Sequence, residues 1–183
     1  MADRIEFSCQ ATPIETLAND AGTTGPDVIA SETYGNMSSS GTITGWTQVT
    51  GTTGTTYGYQ NGDVTYISAA AATTPTAFPA VATIKFLYVK HTGYVYSSGT
   101  TLGASTSDYL TIRALKATDG NTVVAGSISD GEQPIVACLA AGQGIMLPLN
   151  AVMDSEYFGH HSTASNGTSA GGGTIAMQVF IGA

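Results

Sequence analysis

The longest unambiguous alternation in the chain covers residues 81–91, Val-Ala-Thr-Ile-Lys-Phe-Leu-Tyr-Val-Lys-His. A period of two sets Ile84, Phe86 and Tyr88 on one face and Lys85, Leu87 and Val89 on the other, which predicts a β-strand with the Ile84 face turned inward. Thr92-Gly93 reads as a turn, followed by a short Tyr94-Val95-Tyr96 segment and a Ser/Thr/Gly loop that reaches Ser107. Residues 109–115 alternate again, with Leu110 and Ile112 opposed to Thr111 and Arg113, and Asp119-Gly120-Asn121 marks a turn before Thr122-Val123-Val124. Pro134 opens an apolar run to Leu139, Ala140-Ala141-Gly142-Gln143-Gly144 interrupts it, and Ile145-Met146-Leu147-Pro148-Leu149 resumes it. The closing segment, residues 174–181, puts Ile175, Met177, Val179 and Ile181 on one face.

Short strands separated by polar turns, with no amphipathic helix between them, specify an all-β fold rather than a βαβ unit. Residues 81–183 are expected to form an antiparallel β-sandwich of jelly-roll type. The first eighty residues hold candidate strands at 5–9, 28–34, 42–49 and 63–67, divided by runs such as Thr52-Thr53-Gly54-Thr55-Thr56. Residues 1–20 read as an extended N-terminal arm. Residues 21–80 read as an irregular, loosely packed β-containing segment, whose strands near Trp46 and Val64 complete the sandwich. The Ala69-Ala70-Ala71-Ala72 run reads as a connector with a helical turn, stopped by Pro75 and Pro79.

Composition sharpens this picture. Hydrophobic residues make up 42% of the 183-residue chain and charged residues only 10%, against about 25% charged in ordinary soluble domains. Polarity comes from Thr, Ser, Gly and Asn, which favour strands and turns over helix interiors. The net charge of −8 with five basic residues argues against a nucleic-acid partner, because phosphate binding needs clustered Lys and Arg. The first eighty residues are plainly acidic, with Arg4 alone against seven carboxylates. No apolar run approaches the ~18 residues of a membrane-spanning helix, and the Met1-Ala2-Asp3-Arg4-Ile5-Glu6 start is not that of a secretory signal. Expectation is therefore of a chain made in a cytosol, with no membrane partner. Cys9 and Cys138 both sit in apolar alternation and read as buried free thiols, a disulfide requiring an oxidising compartment and a geometry that spacing does not give.

Chemistry-bearing motifs are sparse. Gly167-Thr168-Ser169-Ala170-Gly171 matches the G-x-S-x-G pattern of serine hydrolases, but a nucleophile elbow needs a strand before it and a helix after it, and here glycines lead into a strand. His160-His161, with Asp154 and Glu156 before them and His91 elsewhere, is the one cluster of metal-ligand types; neighbours in a strand point to opposite faces, so the pair reads as a solvated loop rather than a metal site. Trp46, Tyr57, Tyr59, Tyr66, Tyr94 and Tyr96 could stack on sugar rings, although cross-strand packing is the ordinary role of strand-borne Tyr. No paired carboxylates at glycosidase spacing stand out. The reading is of a non-enzymatic protein with no catalytic residues, no metal site and no cofactor.

The middle and end of the chain resemble small virion proteins of tailed bacteriophages. The resemblance is carried by Ile84-Lys85-Phe86-Leu87-Tyr88-Val89-Lys90 running into His91-Thr92-Gly93, by Leu139-Ala140-Ala141-Gly142-Gln143-Gly144-Ile145-Met146-Leu147-Pro148, and by Ala176-Met177-Gln178-Val179-Phe180-Ile181. Many such proteins have Glu after Gly in the central turn, where this chain has Gln143. The pattern looks most like a capsid decoration (cement) protein, and covers a little over half the chain. It implies a trimer on the phage head that binds the major capsid protein or other virion proteins through repeated contacts, with an arm crossing between neighbours. Ile5, Phe7 and Ile14 would anchor that arm, with Trp46 a further partner-binding residue. The alternatives are a receptor- or carbohydrate-binding module of a tail fibre and another head, neck or tail component.

Overall fold

In the computed structural model the described residues are 4–11, 15–17, 28–30, 37–45, 58–60, 63–72, 75–78, 84–114, 135–153, 158–164 and 171–183. They hold β1 (Arg4–Ala11), β2 (Glu15–Leu17), β3 (Val28–Ala30), β4 (Met37–Thr44), β5 (Gly58–Gln60), β6 (Asp63–Thr65), β7 (Ile67–Ala69), β8 (Thr76–Ala77), β9 (Ile84–Tyr96), β10 (Leu102–Ser105), β11 (Tyr109–Ala114), β12 (Ile135–Leu139), β13 (Gly144–Met153), β14 (Phe158–Thr163) and β15 (Ile175–Gly182). No helix occurs among them, and every strand ladder is antiparallel. The chain divides into two compact units, Met1–Gly45 and Trp46–Ala183.

The first unit is built from nested pairings, β1 with β4 and, inside them, β2 with β3. Direct partners along β1 and β4 are Ile5 with Ile43, Phe7 with Gly41, Cys9 with Ser39 and Ala11 with Met37. Phe7 lies over the bare face of Gly41, where an added Cβ would come 2.7 Å from Phe7 Cζ. An aromatic ring thus covers the backbone that a glycine leaves open.

The second unit is an antiparallel β-sandwich. One sheet runs β10-β9-β15-β7 with β13 also on β9, and the other runs β12-β11-β14-β8. Both sheets contribute to one core: Ala69, Ile84, Leu87, Val89, Ile175, Met177, Val179 and Ile181 from the first, with Phe78, Leu110, Ile112, Leu139 and Phe158 from the second or beside it. Alternation in β15 is as the sequence predicts, and Ala176 is buried besides. β7 joins the sandwich beside β15, while β5 and β6 pair with each other. These strand orders establish a sandwich and do not by themselves make it a jelly roll.

Three local expectations are corrected. β9 does not hold one phase: Ile84, Leu87 and Val89 face the core, whereas Phe86 is buried on the opposite side against Phe180, ring centroids 6.1 Å apart. The change of phase coincides with a register irregularity in the β13–β9 pairing, between Pro148 opposite Phe86 and Met153 opposite Ile84. Thr92-Gly93 is not a turn; β9 continues through it as a bulge, with Gly93 at φ +90° and Thr92 Oγ1 donating to Ala176 O at 2.6 Å. The alanine run is not helical, since Ala69 ends β7 and Ala71 bridges to Ser162. Gly142, at φ +81°, does make the expected turn, closed by Gln143 N–H to Ala140 O and by Ala140 N–H to Gln143 Oε1.

Candidate functional site

β14, Phe-Gly-His-His-Ser-Thr, shows no apolar alternation, yet all six of its residues are buried. It lies between β11 and β8, and that position overturns the reading of His160-His161 as a solvated loop pair. Registers place Leu110 and Ile112 of β11 on one face with Ser162 and His160, and Thr111 and Arg113 on the other with His161 and Thr163. The first face is the core; the second is a buried polar layer.

In that layer Arg113, 2% exposed, donates from Nε to His161 Nε2 at 3.0 Å, and His161 Nδ1 meets Ala72 O at 2.9 Å. A guanidinium can only donate, so His161 accepts at Nε2, donates from Nδ1 and is neutral. Beside them Thr111 and Thr163 hydroxyls bond at 2.7 Å, Thr163 Oγ1 reaches Tyr109 O at 3.4 Å, and Cys138 Sγ lies 3.7 Å from Thr111 Oγ1. These bonds satisfy buried polar atoms across β11, β12 and β14 and tie their register together.

On the core side the satisfaction is incomplete. His160 Nδ1 and Ser162 Oγ are buried without a hydrogen-bond partner. The His160 ring packs on Phe78 at 4.7 Å between centroids. Burial pushes its pKa down to about 3, with His161 adding to the shift.

His91, Asp108 and Ser162 form a superficial His/Asp/Ser grouping that the geometry does not wire for catalysis. His91 Nε2 is 3.0 Å from the main-chain O of Asp108, not its carboxylate, and Nδ1 accepts from Gly93 N–H at 2.8 Å. Both ring nitrogens are therefore committed to backbone, and no base is left for Ser162. Burial lowers the His91 pKa, against the opposing effects of its bond to Asp108 and of the Asp108 charge. Asp108 instead anchors the glycine loop: its Oδ2 accepts from Gly173 N–H at 3.0 Å, and Gly171 N–H donates to Ser162 O at 3.0 Å. Among the described residues no three His, Cys, Asp or Glu side chains gather as metal ligands.

The partner-binding residues expected from sequence fall as follows. Ile5 and Phe7 are half-buried in β1, whereas Ile14 and Trp46 lie outside the described residues. Also outside are Asp154, Glu156, Tyr57, the Asp119-Gly120-Asn121 turn and most of the G-x-S-x-G match. Both cysteines are free but exposed, correcting the expectation of burial: Cys9 sits on the β1–β4 ribbon and Cys138 on β12, which among the described residues pairs on one side only. Sequence reasoning missed the Arg113–His161 pair. Its one available signal was a lone Arg on the Thr-rich face of a strand, in a chain with few charges and one adjacent His pair.

Large apolar side chains are exposed on strands: Met37 on β4, Tyr94 on β9, Ile135 and Val136 on β12, and Met146 on β13. β12, Ile-Val-Ala-Cys-Leu, carries no charge and, among the described residues, pairs only with β11. Comparison of the chain with protein-family profiles, with curated proteins and with solved structures finds no match.

Proposed function

We propose that this chain is a non-enzymatic structural component of a tailed-phage virion, a capsid decoration protein of jelly-roll type that binds the shell through repeated protein contacts. One observation carries the reading beyond the resemblance: polarity is inverted relative to a catalytic cleft. Arg113, His91, His160 and His161 are turned inward, while uncharged apolar side chains stand exposed on β12 and β13 at Ile135, Val136 and Met146. Among the described residues β12 pairs on one side only, and an uncharged apolar strand at a sheet edge is what proteins blunt when they must stay apart and retain when they assemble. A homotrimer on the head surface, touching the major capsid protein, is the arrangement the resemblance favours. The test is to delete the encoding gene and image the particles. Heads missing a regular set of surface protrusions, restored by adding purified chain, are expected; fully decorated heads in the deletion would overturn the reading.

A receptor-binding role has one observation of its own, the exposure of Tyr94 on β9, which offers a ring face to a sugar. A glycan array separates the two: specific binding lost with Tyr94→Ala would favour it, and a blank array would remove it.

A further inference from the structure

One edge of β14 pairs with β11, and residues 70–72 and 75–78 lie along the other. There Ser162 N–H donates to Ala70 O at 2.8 Å and His161 Nδ1–H to Ala72 O at 2.9 Å. Thr76 and Ala77 pair with His160 and Gly159, and Phe78 N–H donates to Phe158 O at 3.0 Å. Few side chains hold this strap down. Ala70, Ala71 and Thr76 are exposed, Ala72 and Ala77 are half-buried, and of its described residues Pro75 and Phe78 alone are buried. The Phe78 ring packs on the His160 ring, 4.7 Å between centroids. The larger of the two buried anchors therefore rests on an imidazole.

A charge on that imidazole would be costly while the strap is closed. His160 is 4% exposed and its Nδ1 has no hydrogen-bond partner, so a proton added there finds no acceptor. The described strap residues and β7 bring no titratable group to it. β11 brings Tyr109 and Arg113, both on the opposite face of β14 with Thr163 and His161. From the facing sheet the buried titratable side chain is His91, whose ring nitrogens are taken up by Asp108 O and Gly93 N–H. Among the described residues the buried titratable side chains are thus all basic, and His161 is the charge that acts on His160. Lifting Phe78 lets water reach the ring and removes the penalty.

We propose that residues 70–72 and 75–78 form an acid-sensitive strap, which detaches from β14 as a unit when His160 is protonated, while the β9–β15 pairing stays intact. Detachment bares the backbone edge of β14. The closed strap keeps His160 neutral down to about pH 3, whereas the open state takes up its proton near pH 6.5. Closure is therefore fully favoured above pH 6.5 and weakens as pH falls below it. This device is separate from the assembly role and stands whatever partner the chain has.

Hydrogen exchange of the purified full-length chain, read amide by amide by NMR and corrected for intrinsic rates, is the test. Phe78 and Ser162 N–H report the strap, and Tyr96 N–H, which donates to Thr174 O at 2.8 Å, reports the sheet of β9 and β15. At about pH 5, Phe78 and Ser162 should exchange at least ~10-fold faster than Tyr96, and their opening should rise ~25-fold between about pH 7 and about pH 5. His160→Leu should remove most of that rise. Equal exchange of Phe78, Ser162 and Tyr96 in the wild type would mean that the strap opens only with the whole sandwich, and overturns the proposal whether or not His160→Leu folds. A flat pH dependence of strap opening in the wild type, or the full rise retained in folded His160→Leu, overturns it too.

Discussion

Acid should destabilise this protein through His160 well before its carboxylates protonate. The imidazole is buried against Phe78, and its pKa falls from 6.5 to about 3 because burial, and secondarily His161, penalise the charged form. Above pH 6.5 the residue is neutral in both folded and unfolded chains and costs nothing. As pH falls below 6.5 the unfolded chain takes up a proton that the folded chain refuses until about pH 3. The penalty grows by about 1.4 kcal/mol per pH unit in that window and reaches roughly 2 kcal/mol by about pH 5, where most carboxylates are still ionised. Against a typical total of ~5–15 kcal/mol this is a large loss. Lowering of the His91 pKa by burial acts in the same direction. The measurement is urea unfolding from about pH 7 to about pH 5, on wild type and on His160→Leu, which keeps an apolar side chain against Phe78. His160→Leu should lose about 2 kcal/mol less than wild type over that range. Equal pH dependence in the two proteins would refute the assignment of a buried, neutral His160.

Three other perturbations follow from the same contacts. Arg113→Met strands His161 Nε2 as a buried acceptor and should cost about 2–4 kcal/mol by chemical denaturation, with the Arg113→Met/His161→Leu double variant less than additive; full additivity would mean the pair is not coupled. Gly171→Ala drives a Cβ into Ser162 Oγ and to 2.9 Å from Asp108 Oδ2, which should lower stability by about 1–3 kcal/mol, while Ser162→Ala removes an unpartnered buried hydroxyl and should be neutral or stabilising; a neutral Gly171→Ala would show that the glycine loop moves freely. Gly93→Ala forces a side chain into φ +90° with its Cβ 3.4 Å from Ala141 Cβ, and should cost about 1–2 kcal/mol in thermal or urea unfolding, an unchanged midpoint counting against the β9 bulge.

How much of this was legible in the sequence depended on whether burial was one-sided. β15 was read correctly, in phase, because Ile175, Met177, Val179 and Ile181 form one apolar stripe. β14 was missed because a strand buried on both faces by polar residues has no hydrophobic period to detect: His160 and Ser162 face the core while His161 and Thr163 face the polar layer. Most of the candidate site sits on that strand, so its chemistry was hidden with it. The first eighty residues were read as arm and loose segment because their alternation is weak in apolar content, although Ile5 and Phe7 do take up the paired positions that a two-faced ribbon requires.

Sequence by itself determined the class of structure: low charge, Thr/Ser/Gly polarity and period-two alternation leave an antiparallel all-β chain as the only consistent solution, since each is a local property of neighbouring residues. Tertiary structure alone decided the phase of β9, the survival of a strand through Thr92-Gly93, the burial of two histidines beside an arginine, and the exposure of both cysteines. Those outcomes depend on bulges and on which strand lies beside which, and pairings between residues far apart in the chain leave no mark on the local pattern that a reading of the sequence can use.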